Sequence, residues 1–212
     1  MARLNHILHK LTCLAIFLTA LAWAGVASAQ FVGVSVDAAI AYSATNVAAK
    51  SMSGGSVGIT HPIPFVPNIG GTSLTFTETE SSSVTSPSTS SLTLKTTVEI
   101  KTINIFYHVP FPVVTMALGV GYGRIKTAAN AVLDSTTEDL SNKDYVTEGF
   151  IHIGLPFYNM LEFHLGYHAI NAPKIDRLRG TSKDYSSHTD SNIDQKKSYT
   201  GGMTTVGLQI AF

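Results

Sequence analysis

Apolar and polar residues alternate with a period of two along most of the chain, and this pattern restricts the fold more than any other feature. In one segment the apolar residues Leu161, Phe163, Leu165 and Tyr167 alternate with Glu162, His164, Gly166 and His168. Successive side chains of a β-strand point to opposite faces, so alternation predicts strands with one apolar and one polar face. No long segment shows the 3.6-residue period of an amphipathic helix. The sequence therefore predicts an all-β fold.

Eight segments carry this alternation. We expect strands at residues 31–43, 53–60, 71–79, 91–107, 113–126, 144–155, 160–170 and 197–212. Most of them reach the ~9–11 residues that a tilted strand needs to cross a bilayer. In lipid every backbone group must be hydrogen-bonded, which strands achieve only when their sheet closes on itself. The pattern predicts a closed antiparallel transmembrane β-barrel of about eight strands.

The N-terminal residues have the composition of an export signal. Two basic residues precede an apolar run over residues 11–26, and Ala27–Ala29 fits the small-x-small rule for signal-peptidase cleavage. The apolar run is shorter than the ~20 residues of a spanning helix. We expect residues 1–29 to be a cleaved signal peptide and residues 30–212 to be the barrel domain.

The charge of the chain is low and balanced. Charged residues make up 13% of it, about half of the usual ~25%. Removing Arg3 and Lys10 with the signal leaves 12 basic residues against 14 acidic ones. A nucleic-acid partner would require a basic excess, so none is expected. No phosphate-binding loop or zinc signature occurs, and no cofactor is predicted.

The connections between the predicted strands are of two kinds. Three are short, 46 residues apart, and built on the pairs Pro64-Phe65, Pro110-Phe111 and Pro156-Phe157. The others are long and polar and cover residues 80–90, 129–143 and 171–196. Outer-membrane barrels have short periplasmic turns and longer external loops. The sequence thus predicts a barrel in the bacterial outer membrane with its Pro-Phe turns in the periplasm.

The last strand ends in an aromatic residue with a defined pattern before it. The pattern is formed by Thr205, Gly207, Ile210 and Phe212. It resembles the C-terminal signal that the barrel assembly machinery recognises during outer-membrane biogenesis. The resemblance implies that this machinery is a partner of the chain during its assembly.

A second resemblance lies in the stretch His61-Pro62-Ile63-Pro64-Phe65-Val66-Pro67-Asn68. It is similar to the HPxPxxPN-type turn of a family of small Gram-negative outer-membrane barrels. The resemblance covers about eight residues. It implies the same architecture and carries no catalytic residues with it.

The interior follows from the alternation if the apolar face of each strand meets lipid. The predicted inward residues are Asp37, Lys95, Glu99, Lys101, Glu148, His152, Glu162, His164 and His168. An eight-stranded barrel is just wide enough to be filled by side chains, so we expect these residues to form a network of ion pairs. Beyond Lys101 the alternation inverts, and a bulge near Thr102 would explain the inversion.

A transition-metal site among these histidines and carboxylates is an alternative. His164 and His168 lie about 13 Å apart along a regular strand at ~3.3 Å per residue. One ion cannot contact both of them. The sequence alone assigns no metal ligand.

We expect an integral membrane protein with a structural or surface-interaction role. Basic residues of the last loop could contact lipopolysaccharide phosphates; they are Lys174, Arg177, Arg179 and Lys183. A narrow conduit or a small-molecule binder is one alternative, since Ala117, Gly119, Gly121 and Gly123 leave space on one inner face. A lipid-modifying enzyme is another, because His168–Asn171 resembles the His-x-Ser-Asn segment of lipid A deacylases. Ile170 occupies the serine position, however, so no activated hydroxyl is present and no enzymatic activity is expected.

Overall fold

The computed structural model describes residues 32–44, 47, 51–63, 65–84, 90–111, 114–158, 160–179 and 195–212. The predicted signal peptide, residues 1–29, lies outside these ranges. None of the described segments forms a helix with the length and hydropathy to cross a membrane.

The described residues form ten strands. They are β1 (Gly33–Ala44), β2 (Ser51–Thr60), β3 (Asn68–Val84), β4 (Ser90–Pro110), β5 (Thr115–Leu133), β6 (Thr136–Tyr158), β7 (Leu161–Asn171), β8 (Lys174–Asp176), β9 (Lys196–Ser198) and β10 (Gly201–Ala211). Eight of them close into a barrel in the order β1-β10-β7-β6-β5-β4-β3-β2, and β8 and β9 form a separate ribbon. Every neighbouring pair is antiparallel. The prediction of a closed antiparallel barrel with eight strands is confirmed.

Three short connections lie at one end of the barrel, which we call the short-turn end. They join β2 to β3, β4 to β5 and β6 to β7. Pro110 is the last residue of β4 and Pro156-Phe157 lies near the end of β6, so these two predicted turns begin inside the strands. Both termini of the barrel domain reach the same end, where the Phe212 amide donates a hydrogen bond to the Val32 carbonyl at 2.9 Å. The ribbon of β8 and β9 lies between β7 and β10, and hence at the opposite end.

Strands β3 to β6 extend much farther from the short-turn end than the alternation predicted. They contain 17, 21, 19 and 23 residues. The predicted loop at residues 129–143 is wrong: β5 and β6 continue through it to a tight turn at Asp134, whose φ is 54°. On β5 the inward residues Ala129 and Ala131 alternate with Ala128, Asn130 and Val132, so the two faces differ little in polarity. Because the two faces differ so little, the segment has the composition of a loop, although its backbone remains hydrogen-bonded in the sheet.

Strand β4 keeps one face inward over its whole length. The inward residues are Leu92, Leu94, Thr96, Val98, Ile100, Thr102, Asn104 and Phe106, all buried. Lys95, Glu99 and Lys101 face outward, so their predicted place in the interior is wrong. The registers with β3 and β5 are continuous, and no bulge occurs at Thr102.

The inversion on β4 has an environmental cause. Outward residues change from Lys95, Glu99 and Lys101 to Ile103, Ile105 and Tyr107, while the backbone stays regular. A lipid-facing position is apolar, and a water-facing position is polar. The outward face therefore passes from water into lipid near Lys101, and the inward face changes polarity in the opposite sense.

The interior consequently has two parts. Away from the short-turn end lies an apolar layer formed by Leu74, Phe76, Val98, Ile100, Ile125, Val146, Ile170, Ala172, Ile175, Tyr199 and Met203. Its members come from β3 to β8 and β10 and from Ala172 and Tyr199 in the adjoining connections, so the layer crosses the whole barrel. Tyr42 also packs on it, because a bulge between Ala39 and Ala41 turns the following residues of β1 over. Nearer the short-turn end the interior is polar.

Candidate functional site

The polar part of the interior contains six of the nine residues predicted to lie there. Asp37, Glu148, His152, Glu162, His164 and His168, which we call the His–carboxylate cluster, project inward from β1, β6 and β7. None of these side chains is more than 13% exposed. The outward position of Lys95, Glu99 and Lys101 leaves the cluster without the lysines that were expected to pair with it.

Asp37, His152 and His164 lie at the centre of the cluster. One ligand-type atom from each lies within 4.8 Å of the others. The Nδ1 atom of His164 is 3.6 Å from Asp37 Oδ1, and that of His152 is 4.0 Å from Asp37 Oδ2. Gly207 pairs with Asp37 on one side and with His164 on the other. A Cβ atom there would lie 2.3 Å from Asp37 Oδ1, so the glycine gives the two side chains room to meet.

Each central histidine is held by a further partner through its other ring nitrogen. Glu162 Oε1 lies 2.7 Å from His164 Nε2. His152 Nε2 lies 2.9 Å from His168 Nε2, and His168 Nδ1 contacts Glu148. These contacts fix both imidazole rings with Nδ1 directed at Asp37.

Glu148 closes this chain of contacts. Its carboxylate accepts hydrogen bonds from the hydroxyl groups of Thr72, at 3.0 Å, and Thr102. Sequence reasoning did not identify these threonines. The sequence predicts a bulge near Thr102 and assigns this residue to neither face, whereas the regular register of β4 places it inward. A correct assignment of the face would have identified it, because the alternation itself is regular.

A small cavity borders the cluster. It offers about 20 Å³ to the centre of a water-sized sphere, and its lining includes Ser35, Ser56 and His108. About 10–15 Å³ holds one water molecule. The glycine-rich inner face of β5 adds no further space, because the Phe150 ring covers Gly119, and Asn104 and Glu148 cover Gly121.

A second group of charges lies at the far side of the apolar layer. Arg177 and Lys197, from the loop that contains the ribbon, both bind Glu78 and Glu80 of β3. Tyr199 Oη donates to Glu78 at 2.8 Å. We call Glu78, Glu80, Arg177 and Lys197 the ion-pair cluster. Burial tends to raise the pKa of Glu80, but hydrogen bonds and charge from Arg177 and Lys197 outweigh burial and lower this pKa below its ordinary value.

The ion-pair cluster corrects the assignment of the loop's basic residues. Arg177 is fully buried and holds the ribbon onto β3, so it does not face lipid. Lys174 and Arg179 are exposed. Lys183 lies outside the described residues.

The outward surface carries an apolar belt with basic residues on its border. The belt includes Val36, Ile59, Ile103, Ile105, Leu118, Val120, Ile153, Leu155, Phe163, Leu165, Leu208 and Ile210, all exposed. Tyr122 and Tyr145 stack at its edge, with ring centroids 5.6 Å apart. Beyond this edge, away from the short-turn end, the next outward residues of β4, β5 and β6 are basic. They are Lys101, Arg124, Lys126 and Lys143.

The four residues of the predicted assembly signal lie on β10 and at its end. Ile210 and Phe212 face outward, with 48% and 60% exposure. Thr205 is buried, 3.5 Å from His168 Nε2, and Gly207 lies beside Asp37. Recognition by the assembly machinery stays a prediction.

A closed eight-stranded antiparallel barrel, apolar on the outside and polar inside along its membrane section, defines a transmembrane β-barrel of the outer-membrane class. No protein-family model and no curated sequence matches the chain. It is similar in structure to Neisserial surface protein A (14% identity, 87% of this chain and 98% of that chain, TM-score 0.46). It is also similar to the N-terminal β-barrel domain of Pseudomonas aeruginosa OprF (11% identity, 86% of this chain and 98% of that chain, TM-score 0.41). A third similar structure is a major outer membrane protein from Thermus thermophilus (11% identity, 85% of this chain and 99% of that chain, TM-score 0.46). The class rests on the barrel itself.

Proposed function

We propose that the chain is a closed, non-conducting and non-enzymatic outer-membrane barrel that carries a rigid β-extension at the cell surface. The apolar layer is the observation that supports this proposal. Leu74, Phe76, Ile100 and Ile125 are at most 1% exposed and block the path from one end of the barrel to the other. Beyond the belt, β3 to β6 continue with a polar outward face, which suits a structure that stands in water.

The ion-pair cluster strengthens the closure. It attaches the ribbon to β3 on the far side of the apolar layer, so a solute would have to pass two barriers. Phe106 and Phe150 narrow the interior on the side of the short-turn end, with ring centroids 6.0 Å apart. A narrow conduit is therefore less well supported than a closed barrel.

Planar-bilayer recording tests the closure. The refolded protein should give no steady conductance step above that of the lipid alone. Replacing Leu74, Phe76 and Ile100 together by alanine should open a measurable path, because it removes the centre of the apolar layer. The matched control replaces Ile59, Ile103 and Ile105 on the outward belt and should remain silent. Steady conductance of the unmodified protein would overturn the proposal.

A non-enzymatic role agrees with the position of the segment that resembles lipid A deacylases. His168 and Ile170 both point into the barrel, at 0% and 2% exposure, and not toward lipid. Ile170 has no hydroxyl group that a base could activate. The proposal predicts no release of fatty acid from lipopolysaccharide vesicles that contain the protein.

We propose lipopolysaccharide as the lipid partner, bound at the basic border of the belt. Arg124 lies beside Lys101 on β4, and Lys126 lies beside Lys143 on β6. Arg124 also stacks over Tyr145 at 5.8 Å, which holds its guanidinium at the level where lipid phosphates lie. Replacing Arg124 and Lys126 by glutamine should weaken co-purification with lipopolysaccharide, and Lys95→Gln, farther from the belt, should not. Equal lipopolysaccharide content in all three proteins would contradict this partner.

A further inference from the structure

We propose that Asp37, His152 and His164 bind one divalent first-row transition-metal ion, such as Zn²⁺, inside the membrane section of the barrel. Two nitrogen ligands and one carboxylate suit such ions. The three side chains come from β1, β6 and β7 and meet only because the barrel closes. The site goes beyond the structural role proposed above and does not depend on it.

The hydrogen bonds of His164 leave one nitrogen free to bind the ion. Its Nε2 faces the Glu162 carboxylate at 2.7 Å, and a carboxylate only accepts hydrogen bonds, so Nε2 carries the proton. In a neutral ring the lone pair is then on Nδ1. That atom is buried, points at Asp37, and has no hydrogen-bond partner among the described residues.

The tautomer of His152 follows in the same way from that of His168. The Glu148 carboxylate places the proton of His168 on Nδ1, so His168 Nε2 is an acceptor. His152 Nε2, 2.9 Å away, must then donate to it. The remaining nitrogen of His152, Nδ1, therefore has its lone pair directed toward Asp37 Oδ2 at 4.0 Å.

Two lone pairs and a carboxylate thus face one another in a buried space. Asp37 Oδ1 is also without a hydrogen-bond partner in the described part of the chain. Ser56 Oγ donates to Asp37 Oδ2 at 3.3 Å, but no described residue donates a hydrogen bond to Asp37 Oδ1 or His164 Nδ1. Acceptors that face one another in this way repel unless a cation lies among them. A metal ion satisfies all three together.

The balance of charge favours a divalent cation. Asp37, Glu148 and Glu162 bring three carboxylates into this part of the interior, and no described lysine or arginine projects into it. Buried charges are costly unless they are paired. A divalent ion neutralises much of this negative charge at its centre.

The ligand atoms can reach the geometry of a zinc site if the three side chains move together. Zinc binds nitrogen and oxygen at about 2.0–2.2 Å, which places tetrahedral ligand atoms roughly 3.3 Å apart. His164 Nδ1 and His152 Nδ1 lie 3.6 Å and 4.0 Å from different oxygens of Asp37. One ligand atom from each residue lies within 4.8 Å of the others, so binding requires these atoms to approach by up to about 1.5 Å. Three protein ligands leave one position open, and the adjoining cavity has room for a water molecule there.

The hydrogen bonds of the second ring nitrogens are of the type found in known metal sites. Ligating histidines commonly donate their second N–H to a carboxylate or another acceptor, which fixes the ring. Glu162 does this for His164, and the His168–Glu148 pair does it for His152. Glu162 is therefore a positioning residue of the site, and not a ligand.

Metal analysis tests the site. It uses the full-length protein, expressed without a histidine tag, purified from membranes and refolded. After treatment with a chelator, titration with Zn²⁺ should show one tight site per chain, whereas Mg²⁺ should show none. Co²⁺ should give the visible absorption of a four- or five-coordinate ion. Zn²⁺ should also raise the unfolding temperature of the unmodified protein, a result that needs no variant.

Variants identify the ligands. Asp37→Asn and His164→Gln keep the side-chain shape and should abolish the tight site. Glu162→Gln should weaken it about 10–100-fold. The control, His61→Gln, changes a half-buried histidine in the first Pro-Phe turn and should leave affinity unchanged. Heat-modified migration on gels shows whether each variant is folded.

Two results would overturn the proposal. One is an unmodified, folded protein that binds Zn²⁺ no better than Mg²⁺, which would mean that a proton alone joins His164 to Asp37. The other is tight binding that survives in both Asp37→Asn and His164→Gln. Conductance is a separate measurement, so failure of the metal site leaves the closed-barrel proposal standing.

Discussion

At the scale of single residues, the position of a side chain along a strand decides what surrounds it. Val98 and Thr97 are neighbours on β4 above the belt, one in the apolar layer and one facing outward. Val98→Arg should destabilise the barrel by about 3–5 kcal/mol, since it buries an unpaired charge. Thr97→Arg should change the free energy of unfolding by about 0.5 kcal/mol or less. Urea unfolding in lipid vesicles measures both.

The two arginine variants also test the corrected orientation of β4. If Thr97→Arg were as harmful as Val98→Arg, the outward face at this level would lie in lipid and not in water. If Val98→Arg were harmless, the face assignment would be reversed. The comparison separates these outcomes because the two substitutions introduce the same side chain on adjacent residues.

At the scale of elements, the ribbon is held to β3 by charges that acid can neutralise. The pKa of Glu80 is lowered in the folded protein, so its ion pairs contribute stability above the unfolded pKa of about 4.5. This contribution is lost as the pH falls through the lowered folded value. The free energy of unfolding should therefore decrease when the pH is lowered below about 4.5, the unfolded pKa of Glu80. Glu80→Gln should remove part of that pH dependence.

A matched control for Glu80 lies on the outward face. Glu99 also pairs with a lysine, but its partner Lys101 is 65% exposed. Exposed pairs contribute little to stability, so Glu99→Gln should leave the pH profile nearly unchanged. An unchanged profile in Glu80→Gln, measured by urea unfolding at several pH values, would show that the ribbon is held by other contacts.

Strand β10 closes the barrel and carries the predicted assembly signal. We propose that the assembly machinery recognises Phe212, the residue after β10, and deleting it should then lower the amount of protein in outer membranes. Phe157→Ala is the control, because Phe157 is also 60% exposed and lies at the same end of the barrel. Immunoblots of membrane fractions compare the two, and equal amounts would contradict the signal.

At the scale of the whole molecule, the closed barrel and its two-part interior should keep the protein folded in detergent until it is heated. The protein should fractionate with outer membranes and migrate faster on gels before boiling than after it. A closed barrel has no free edge at which unfolding can begin. A soluble periplasmic protein with a single migration would be incompatible with the membrane barrel.

The sequence by itself determined the number of barrel strands, their antiparallel closure and the grouping of the short turns at one end of the barrel. These properties depend on local rules: side chains alternate every residue, proline stays out of ladder interiors, and lipid requires a closed sheet. It did not determine which face of β4 points inward. Alternation is symmetric, and the outward face at Lys95 meets water while that at Ile105 meets lipid.

Only the tertiary structure decided what the interior contains. Asp37 and His164 are 127 residues apart in the sequence, and they meet because β10 lies between their strands with Gly207 at their level. Arg177 has the sequence context of a loop cation, but the folded loop buries it against Glu78 and Glu80. Both outcomes depend on contacts between distant segments, which a period of two does not encode.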